Sequence, residues 1–271
     1  MTIWLGALFG LVQGLTEFLP VSSSGHLAIL SMLALDSSDM FFSILLHLAT
    51  FVAVCIAFRK DVWALVREVV CFIPDTIRKK PPRDKDYRHM LYMMILSLLP
   101  LVAVVFFQDQ IDAIFNSPLA IGIALCVTAT LLVLADRFGG GTKTVGTMTA
   151  RDAVVIGLVQ MVAIIPGISR SGATLTAALF CGMTREDSVK YSFLLSLPTI
   201  LAAAALEVLD VLGTGIDTAL LAPYAVGCLV AGVTGYLGIG MVRMISKNGK
   251  LKVFSFYCAA VALGLFVSYL F

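Results

Sequence analysis

Apolar residues dominate this chain, and short polar stretches divide them into runs of different lengths. Six of these runs approach the roughly 20 mostly apolar residues that a helix needs to cross a membrane. The predicted spans are 41–58, 91–107, 118–135, 191–208, 220–242 and 253–271. The pattern therefore predicts an all-α polytopic membrane protein.

Two further apolar segments, 1–35 and 153–183, are interrupted by glycine, proline and serine. The apolar stretches on either side of each interruption are too short to span a membrane comfortably. Irregular backbone is tolerated at membrane depth only where protein or a polar cavity surrounds it. We therefore predict that each segment forms a re-entrant helical hairpin with a broken middle.

The two interrupted segments carry related motifs. Residues 10–26 read GLVQGLTEFLPVSSSGH, and residues 157–173 read GLVQMVAIIPGISRSGA. A second similarity links Ser43–Thr50 (SILLHLAT) with Ser192–Thr199 (SFLLSLPT). Because the order of the spans gives the two motifs opposite orientations, we predict two inverted-topology repeats, each with a re-entrant hairpin and three transmembrane helices. The repeats are predicted at 1–135 and 153–271, with a linker at 136–152, in a single membrane domain over 1–271.

The longest hydrophilic segment, 59–90, is rich in lysine and arginine. Within it, Val62–Ile73 interleaves a tryptophan and several branched apolar residues with Arg67 and Glu68. Such a pattern is typical of an amphipathic helix that lies on a membrane surface.

Composition and charge support the membrane assignment and add a topology. The chain is 59% hydrophobic and 13% charged, whereas a soluble domain has about 25% charged residues. Of the 19 lysines and arginines, all but Arg170 fall in loops that the span order places on one side. The loops 36–40, 108–117 and 209–219 contain none. The positive-inside rule assigns the basic loops to the cytoplasm, so both termini are predicted on the outer side.

Ionisable residues within the two motifs are the candidate functional residues. Glu17, His26 and Arg170 lie in strongly apolar surroundings, where a charge needs a partner or a function. An arginine fork matches phosphate oxygens, and a helix that follows a Ser-Gly loop points backbone amides at an anion. We therefore predict that the two motifs meet inside the membrane and together bind a phosphate or diphosphate. The predicted phosphate-binding residues are Ser22, Ser24, Gly25, Ser169, Ser171, Gly172 and Thr174.

The same residues also allow structural interpretations. Small residues such as these serines and glycines also permit close packing of membrane helices. An ion pair between Arg170 and Glu17 could serve only to lock the halves together. We interpret His47, inside a predicted span, as a buried hydrogen-bonded histidine rather than a catalytic one.

The motifs Gln13–His26 (QGLTEFLPVSSSGH) and Pro166–Thr174 (PGISRSGAT) resemble those of the undecaprenyl-pyrophosphate phosphatases, the bacitracin-resistance proteins of bacterial membranes. The resemblance covers the whole chain and implies interlocked inverted repeats with re-entrant helices and six spans. It also implies a hydrolase of the plasma membrane, with its active site opening outward. Such an enzyme converts a polyprenyl diphosphate to the monophosphate and so recycles the lipid carrier of cell-wall synthesis.

Position by position, the resemblance implies catalytic roles for Glu17, Ser23, His26 and Arg170. One position departs from the family pattern, because this chain has Gln13 where a second glutamate is usual. In the family that glutamate is associated with binding a divalent cation or with handling a proton. Here Glu17 would hold the cation, Mg²⁺ or Ca²⁺. Gln13 can offer the cation a carbonyl oxygen but cannot act as a base.

The chemistry leaves several routes open. Ser23 could be the nucleophile with His26 or Glu17 as base, or one of these could activate water directly. A type-2 phosphatidate phosphatase is excluded, because none of the three histidines provides the late HxxxD pattern of that class. A transporter or flippase for a prenyl phosphate is the alternative function, since broken helices in inverted repeats suit alternating access. The expected partners are a polyprenyl diphosphate and the bilayer, without nucleic acid; a homodimer is left open.

Overall fold

The computed structural model describes residues 1–34, 40–77, 81–107, 117–211 and 220–270, and these ranges are almost entirely helical. The α-helices, in chain order, are α1 (Ile3–Phe18), α2 (Ser23–Ala34), α3 (Met40–Ala57), α4 (Arg59–Ile77), α5 (Lys85–Leu98), α6 (Pro118–Phe138), α7 (Ala150–Val162), α8 (Arg170–Phe180), α9 (Arg185–Val211), α10 (Leu221–Lys247) and α11 (Lys252–Leu270). Two 3₁₀ helices, Leu99–Phe107 and Val145–Thr147, follow α5 and precede α7.

Among the described residues, five helices are long and apolar enough to cross a membrane. They are Lys85–Val104, Pro118–Phe138, Arg185–Ala205, Leu221–Lys247 and Lys252–Tyr269. A sixth span results if Phe41–Ala57 and Arg59–Asp75, which are bent by 99°, are counted together. The prediction of a multi-pass helical membrane protein is therefore confirmed. The loops 36–40, 108–117 and 209–219 lie largely outside the described residues, and the sidedness stays a prediction.

Several predicted boundaries were wrong, and capping side chains explain two of them. The helix of the predicted span 91–107 begins at Lys85, because the Asp84 side chain accepts hydrogen bonds from the first backbone amides of α5. It becomes a 3₁₀ helix after Leu98, one residue before Pro100, which lacks the backbone N–H of a regular helix. The span predicted at 191–208 begins instead at Arg185, where Thr184 accepts a hydrogen bond from the Asp187 amide. Residues 139–149 connect α6 to α7, and the division into two repeats with a linker at 136–152 stays a prediction.

The amphipathic segment forms α4, which turns sharply away from α3. Its inner side is fixed by Arg88 of α5, whose Nε donates to Glu68 at 2.7 Å and whose Nη2 lies 3.5 Å from Asp75. Its outer side exposes a row of large apolar side chains. These are Trp63, Val66, Val69, Val70, Ile73 and Ile77. The helix is thus amphipathic as predicted, and its location on the membrane surface stays a prediction.

Glycines bring the interrupted helix α1 into backbone contact with α10. A Cβ added at Gly10 would lie 2.2 Å from the carbonyl oxygen of Gly227, and one at Gly14 would lie 2.5 Å from that of Ala231. The second interrupted helix, α7, approaches α5 in the same way, since a Cβ at Gly157 would lie 2.5 Å from the Ser97 carbonyl oxygen. Each short helix is therefore held against a longer one by direct backbone packing.

This packing predicts that Gly10→Ala destabilises the protein, although alanine favours helices. The added methyl group would have to displace backbone of α10, which we expect to lower the free energy of unfolding by about 1–3 kcal/mol. Thermal unfolding in detergent measures the effect. The matched control is Gly240→Ala, because a Cβ there meets nothing within 4 Å, and it should leave stability unchanged or raise it. Equal effects of the two substitutions would contradict the close packing.

Candidate functional site

The first loop of the site joins α1 to α2 and is shaped by Pro20 and Ser22. Proline cannot continue the hydrogen bonding of α1, and Ser22 then adopts a left-handed conformation with φ of 73°. The Ser22 hydroxyl accepts a hydrogen bond from the Gly25 amide at 3.3 Å, which caps the start of α2. The chain thus turns back within the four residues 19–22 and starts a new helix.

The second loop, between α7 and α8, uses the corresponding serine in the same way. Ser169 is the N-cap of α8, and its hydroxyl accepts a hydrogen bond from the Gly172 amide at 3.1 Å. Thr128 of α6 fixes this loop from behind, because its hydroxyl donates to the Gly167 carbonyl and accepts from the Ser169 amide. Two helices therefore begin next to each other at the centre of the molecule.

The two loops contact each other directly, as the sequence predicts. The Gly167 amide donates to the Ser22 hydroxyl at 3.1 Å. A Cβ at Gly25 would lie 3.2 Å from the Gly167 Cα, and one at Gly172 would lie 2.9 Å from the Pro20 Cβ. The close approach of the loops therefore favours glycine at 25 and, more strictly, at 172, and no special backbone conformation is involved.

Glu17 is the centre of a buried polar cluster between the loops. Its Oε1 accepts a hydrogen bond from Arg170 Nη2 in an ion pair. Its Oε2 accepts from the Ser23 hydroxyl at 2.6 Å and from Gln13 Nε2 at 3.2 Å. The other end of the guanidinium donates from Nη1 to the Thr199 hydroxyl at 3.0 Å. Helices α1, α2, α8 and α9 thus each contribute a side chain to one network.

His47 of α3 also belongs to this cluster. Its Nε2 lies 3.9 Å from Glu17 Oε2, and its Nδ1 lies 2.9 Å from the Ser43 carbonyl oxygen. Because a carbonyl oxygen only accepts, Nδ1 is the donor to Ser43. His47 is hydrogen-bonded as predicted, but its side chain is 34% exposed and lines the cavity rather than being buried. Sequence reasoning also missed its place beside Glu17.

A signal for the missed residues was present in the internal repeat. The similarity between Ser43–Thr50 and Ser192–Thr199 aligns His47 with Ser196 and Thr50 with Thr199. Segments that resemble each other beside each motif indicate that α3 and α9 also contribute to the site.

A cavity of about 550 Å³ opens onto the cluster. One part of its wall is polar and includes Glu17, Ser22, Ser23, Ser24, His47, Gln160, Ser169 and Arg170. The other part is apolar and includes Leu98, Leu101, Val102, Ala163, Ile164, Pro198, Ile200 and Ala202. The cavity can therefore hold a ligand with a charged head and an apolar tail.

The structure places His26 away from this cavity. The two nitrogens of its ring lie 2.8 Å from the Ser22 carbonyl oxygen and 2.8 Å from the Tyr257 hydroxyl. The ring also stacks on Tyr257, with centroids 5.5 Å apart. In this arrangement His26 holds the end of the first loop against α11, and its catalytic role stays a prediction.

The remaining predicted phosphate ligands lie behind the cavity wall. Ser171 Oγ is 3.2 Å from Ser169 Oγ, and Thr174 Oγ1 is 2.6 Å from Ser192 Oγ. The Gly25 and Gly172 amides donate to the capping hydroxyls of Ser22 and Ser169. In the structure these residues shape the loops, and their binding of phosphate stays a prediction.

Some of the oxygen atoms beside Glu17 are suited to binding a divalent cation. In the described part of the chain, no three His, Cys, Asp or Glu side chains cluster as metal ligands would. Gln13 Oε1, however, is buried there without a hydrogen-bond partner. An unpaired carbonyl beside a carboxylate and the Ser23 hydroxyl is an oxygen set of the kind that Mg²⁺ and Ca²⁺ accept.

The comparisons with known proteins agree with one another. A family model described as bacitracin resistance protein BacA matches residues 6–264. An undecaprenyl-diphosphatase of Methanococcus maripaludis is 41% identical over 252 residues, which cover 93% of this chain and 94% of that protein. The undecaprenyl-diphosphatase of Alkaliphilus metalliredigens is 40% identical over 261 residues, 95% of each chain. Undecaprenyl-diphosphatase 1 of Shouchella clausii is 35% identical over 271 residues, 98% of this chain and 96% of that one.

The cluster predicts strong coupling between Glu17 and Arg170 in stability. Glu17→Gln or Arg170→Gln alone leaves a buried charge without its partner, and each should lower the free energy of unfolding by about 3 kcal/mol. The double variant removes both charges and should be more stable than the sum of the single effects predicts. Unfolding of the four proteins in detergent measures the coupling. Additive losses would show that the pair makes no contribution of its own.

Proposed function

This chain belongs to the bacitracin resistance protein BacA family, and we propose that it is an undecaprenyl-diphosphatase that releases inorganic phosphate and leaves undecaprenyl monophosphate. The observation that carries the chemistry is the 2.6 Å hydrogen bond from Ser23 to Glu17, in a cavity that also contains Arg170. This arrangement supports the proposal, because a hydroxyl, a carboxylate and a guanidinium that lie close together can serve as nucleophile, base and phosphate-binding group. The names of several relatives supply the substrate.

The two-part cavity suits this lipid substrate. The diphosphate would lie against the polar wall, with Arg170 as its main cationic partner. The first prenyl units would lie along the apolar wall, which includes Leu101, Val102 and Ile164. The enzyme thus recognises both the charge and the apolar tail of the substrate.

Ser23 would act as the nucleophile in a two-step reaction. Its Oγ attacks the terminal phosphorus while its proton passes to Glu17, and the bridging P–O bond breaks to release undecaprenyl monophosphate. Water then cleaves the phosphoserine, which returns a proton to Ser23 and releases inorganic phosphate. Glu17 is better placed as base than His26, because it contacts Ser23 and His26 does not. Direct attack by a water that Glu17 activates is the second route.

Arg170 links substrate binding to the basicity of Glu17. In the structure its two terminal nitrogens donate to Glu17 and Thr199. Phosphate oxygens that take over these donors would leave Glu17 free to accept the Ser23 proton. The same guanidinium would then stabilise negative charge that develops in the transition state.

A divalent cation would be held by Glu17, with the Gln13 carbonyl and the Ser23 hydroxyl as further oxygen ligands. When bound, Mg²⁺ or Ca²⁺ would neutralise charge on the diphosphate oxygens. Gln13 would thus contribute a neutral ligand where the family usually has a second carboxylate.

The proposal includes two inverted repeats in a plasma membrane, with the cavity opening outward and both termini on the outer side. Its support is reciprocal packing: α1 of the first half packs on α10 of the second, and α7 of the second half packs on α5 of the first.

Transport of the lipid without hydrolysis is not favoured, since transport does not require a serine hydroxyl on a buried carboxylate.

The test of the function is phosphate release from undecaprenyl diphosphate by purified protein in detergent. Ser23→Ala removes the nucleophile and should lower the rate at least about 10³-fold. Ser268→Ala is the matched control, because among the described residues its hydroxyl donates only to the Leu265 carbonyl of its own helix α11. A Ser23→Ala rate within tenfold of wild type would exclude the serine route, and absence of release by folded wild type would exclude the enzyme.

The cation is tested by the same assay after chelation. We expect chelator to suppress release and added Mg²⁺ or Ca²⁺ to restore it. Gln13→Glu adds a charged ligand. The cation concentration that gives half-maximal activity should therefore be about tenfold lower, or more, in this variant than in wild type. Full activity in chelator, for both proteins, would show that no divalent cation takes part.

A further inference from the structure

A second cavity, of about 590 Å³, lies where α9 begins and α10 ends. It shares no lining residue with the cavity at Glu17. Lys190 in its wall and Thr199 at the first cavity are nine residues apart on α9, which is roughly 14 Å along a helix. The second cavity is therefore at a different depth in the protein and is separate from the proposed active site.

The charged residues of this cavity leave a positive excess. Its wall contains three basic and two acidic side chains: Asp61, Glu186, Lys190, Arg243 and Lys247. Asp61 is neutralised by an ion pair with Lys190 and also accepts a hydrogen bond from the Tyr87 hydroxyl. In the described part of the chain, Arg243 and Lys247 form no ion pair with a carboxylate. A ligand with one negative charge would therefore neutralise the excess positive charge of the wall.

Arg243 is held in an orientation that suits anion binding. Its Cζ lies 3.9 Å from the centroid of the Phe58 ring, and Phe58 is buried at the bend between α3 and α4. Stacking on a ring leaves the N–H edges of a guanidinium available for hydrogen bonds in its plane. Lys247 follows one helical turn later on the same face of α10, so the two cations can contact one phosphate group.

The cavity also borders the apolar surface of α10. Met244 lines it and is 60% exposed, and Leu237 and Met241 are exposed on the same helix. Because these apolar side chains would face lipid in a membrane, the basic wall beside them would lie at the level of the lipid headgroups. Basic pockets at this level between transmembrane helices bind anionic lipid headgroups.

We propose that this cavity binds the phosphate of an anionic phospholipid through Arg243 and Lys247. A phosphodiester headgroup with one negative charge, as in phosphatidylglycerol, matches the excess charge of the wall. Its acyl chains would lie along the exposed apolar side of α10, next to Met244. The site is independent of the phosphatase activity and would anchor the end of α10 to the bilayer.

The test is native mass spectrometry of the whole protein in detergent, titrated with phosphatidylglycerol, phosphatidylcholine or inorganic phosphate. We expect phosphatidylglycerol to bind more tightly than phosphatidylcholine. Arg243→Gln and Lys247→Gln should each weaken its binding, roughly fivefold per residue. The matched control is Lys250→Gln, which removes an exposed lysine three residues after Lys247 and should bind like wild type.

Three outcomes would overturn the proposal. Equal binding of phosphatidylcholine would show that charge does not select the lipid. Inorganic phosphate that binds as tightly as the lipid, and competes with it, would identify a site for free phosphate instead. Equal losses in Lys250→Gln and Lys247→Gln would indicate a general effect of surface charge. Lys247→Gln tests the site even if Arg243→Gln fails to fold, because Lys247 is exposed at the end of α10.

Discussion

The ion pair between Glu17 and Arg170 is the interaction on which the rest of the structure depends. Neither charge could stay buried among apolar helices without the other, and 153 residues separate them in sequence. Their pairing requires two short helices to end inside the protein, at loops that face each other. The backbone contacts at Gly10 and Gly157 are the means by which longer helices hold those short ones in place. Helix breaks, glycine positions and hydroxyl groups all follow from bringing two charges together away from water.

The fold was predictable to the extent that it depends on local sequence. Long apolar runs, interrupted segments and repeated motifs predicted the helices. They also predicted the meeting of Glu17 and Arg170, because a charge in apolar surroundings needs a partner. Ser23 was singled out by the family resemblance. Helix ends were harder to predict. The start of α5 depends on the capping side chain of Asp84, so a segment that composition marks as hydrophilic is already helical.

The directions of the histidines could not be predicted, because they depend on tertiary structure. His26 follows the left-handed conformation of Ser22, and a residue other than glycine gives no warning of such a turn. That turn directs the imidazole towards Tyr257 and leaves Ser23 to face Glu17. His47 reaches Glu17 only because α3 packs beside α1. Contacts between segments that are distant in the chain thus decide which motif residues face the cavity.

The hydrogen bond from Gly167 to Ser22 has a consequence for how the protein is made. The left-handed conformation of Ser22 is strained for a residue with a side chain, by roughly 1–3 kcal/mol. It is supported in part by a donor 145 residues later in the chain. At roughly 5–20 residues per second, the ribosome supplies that donor roughly 7–30 s after the first loop has emerged. The first half is therefore synthesised before the residue that helps to support its turn. The site is assembled only when the second half arrives.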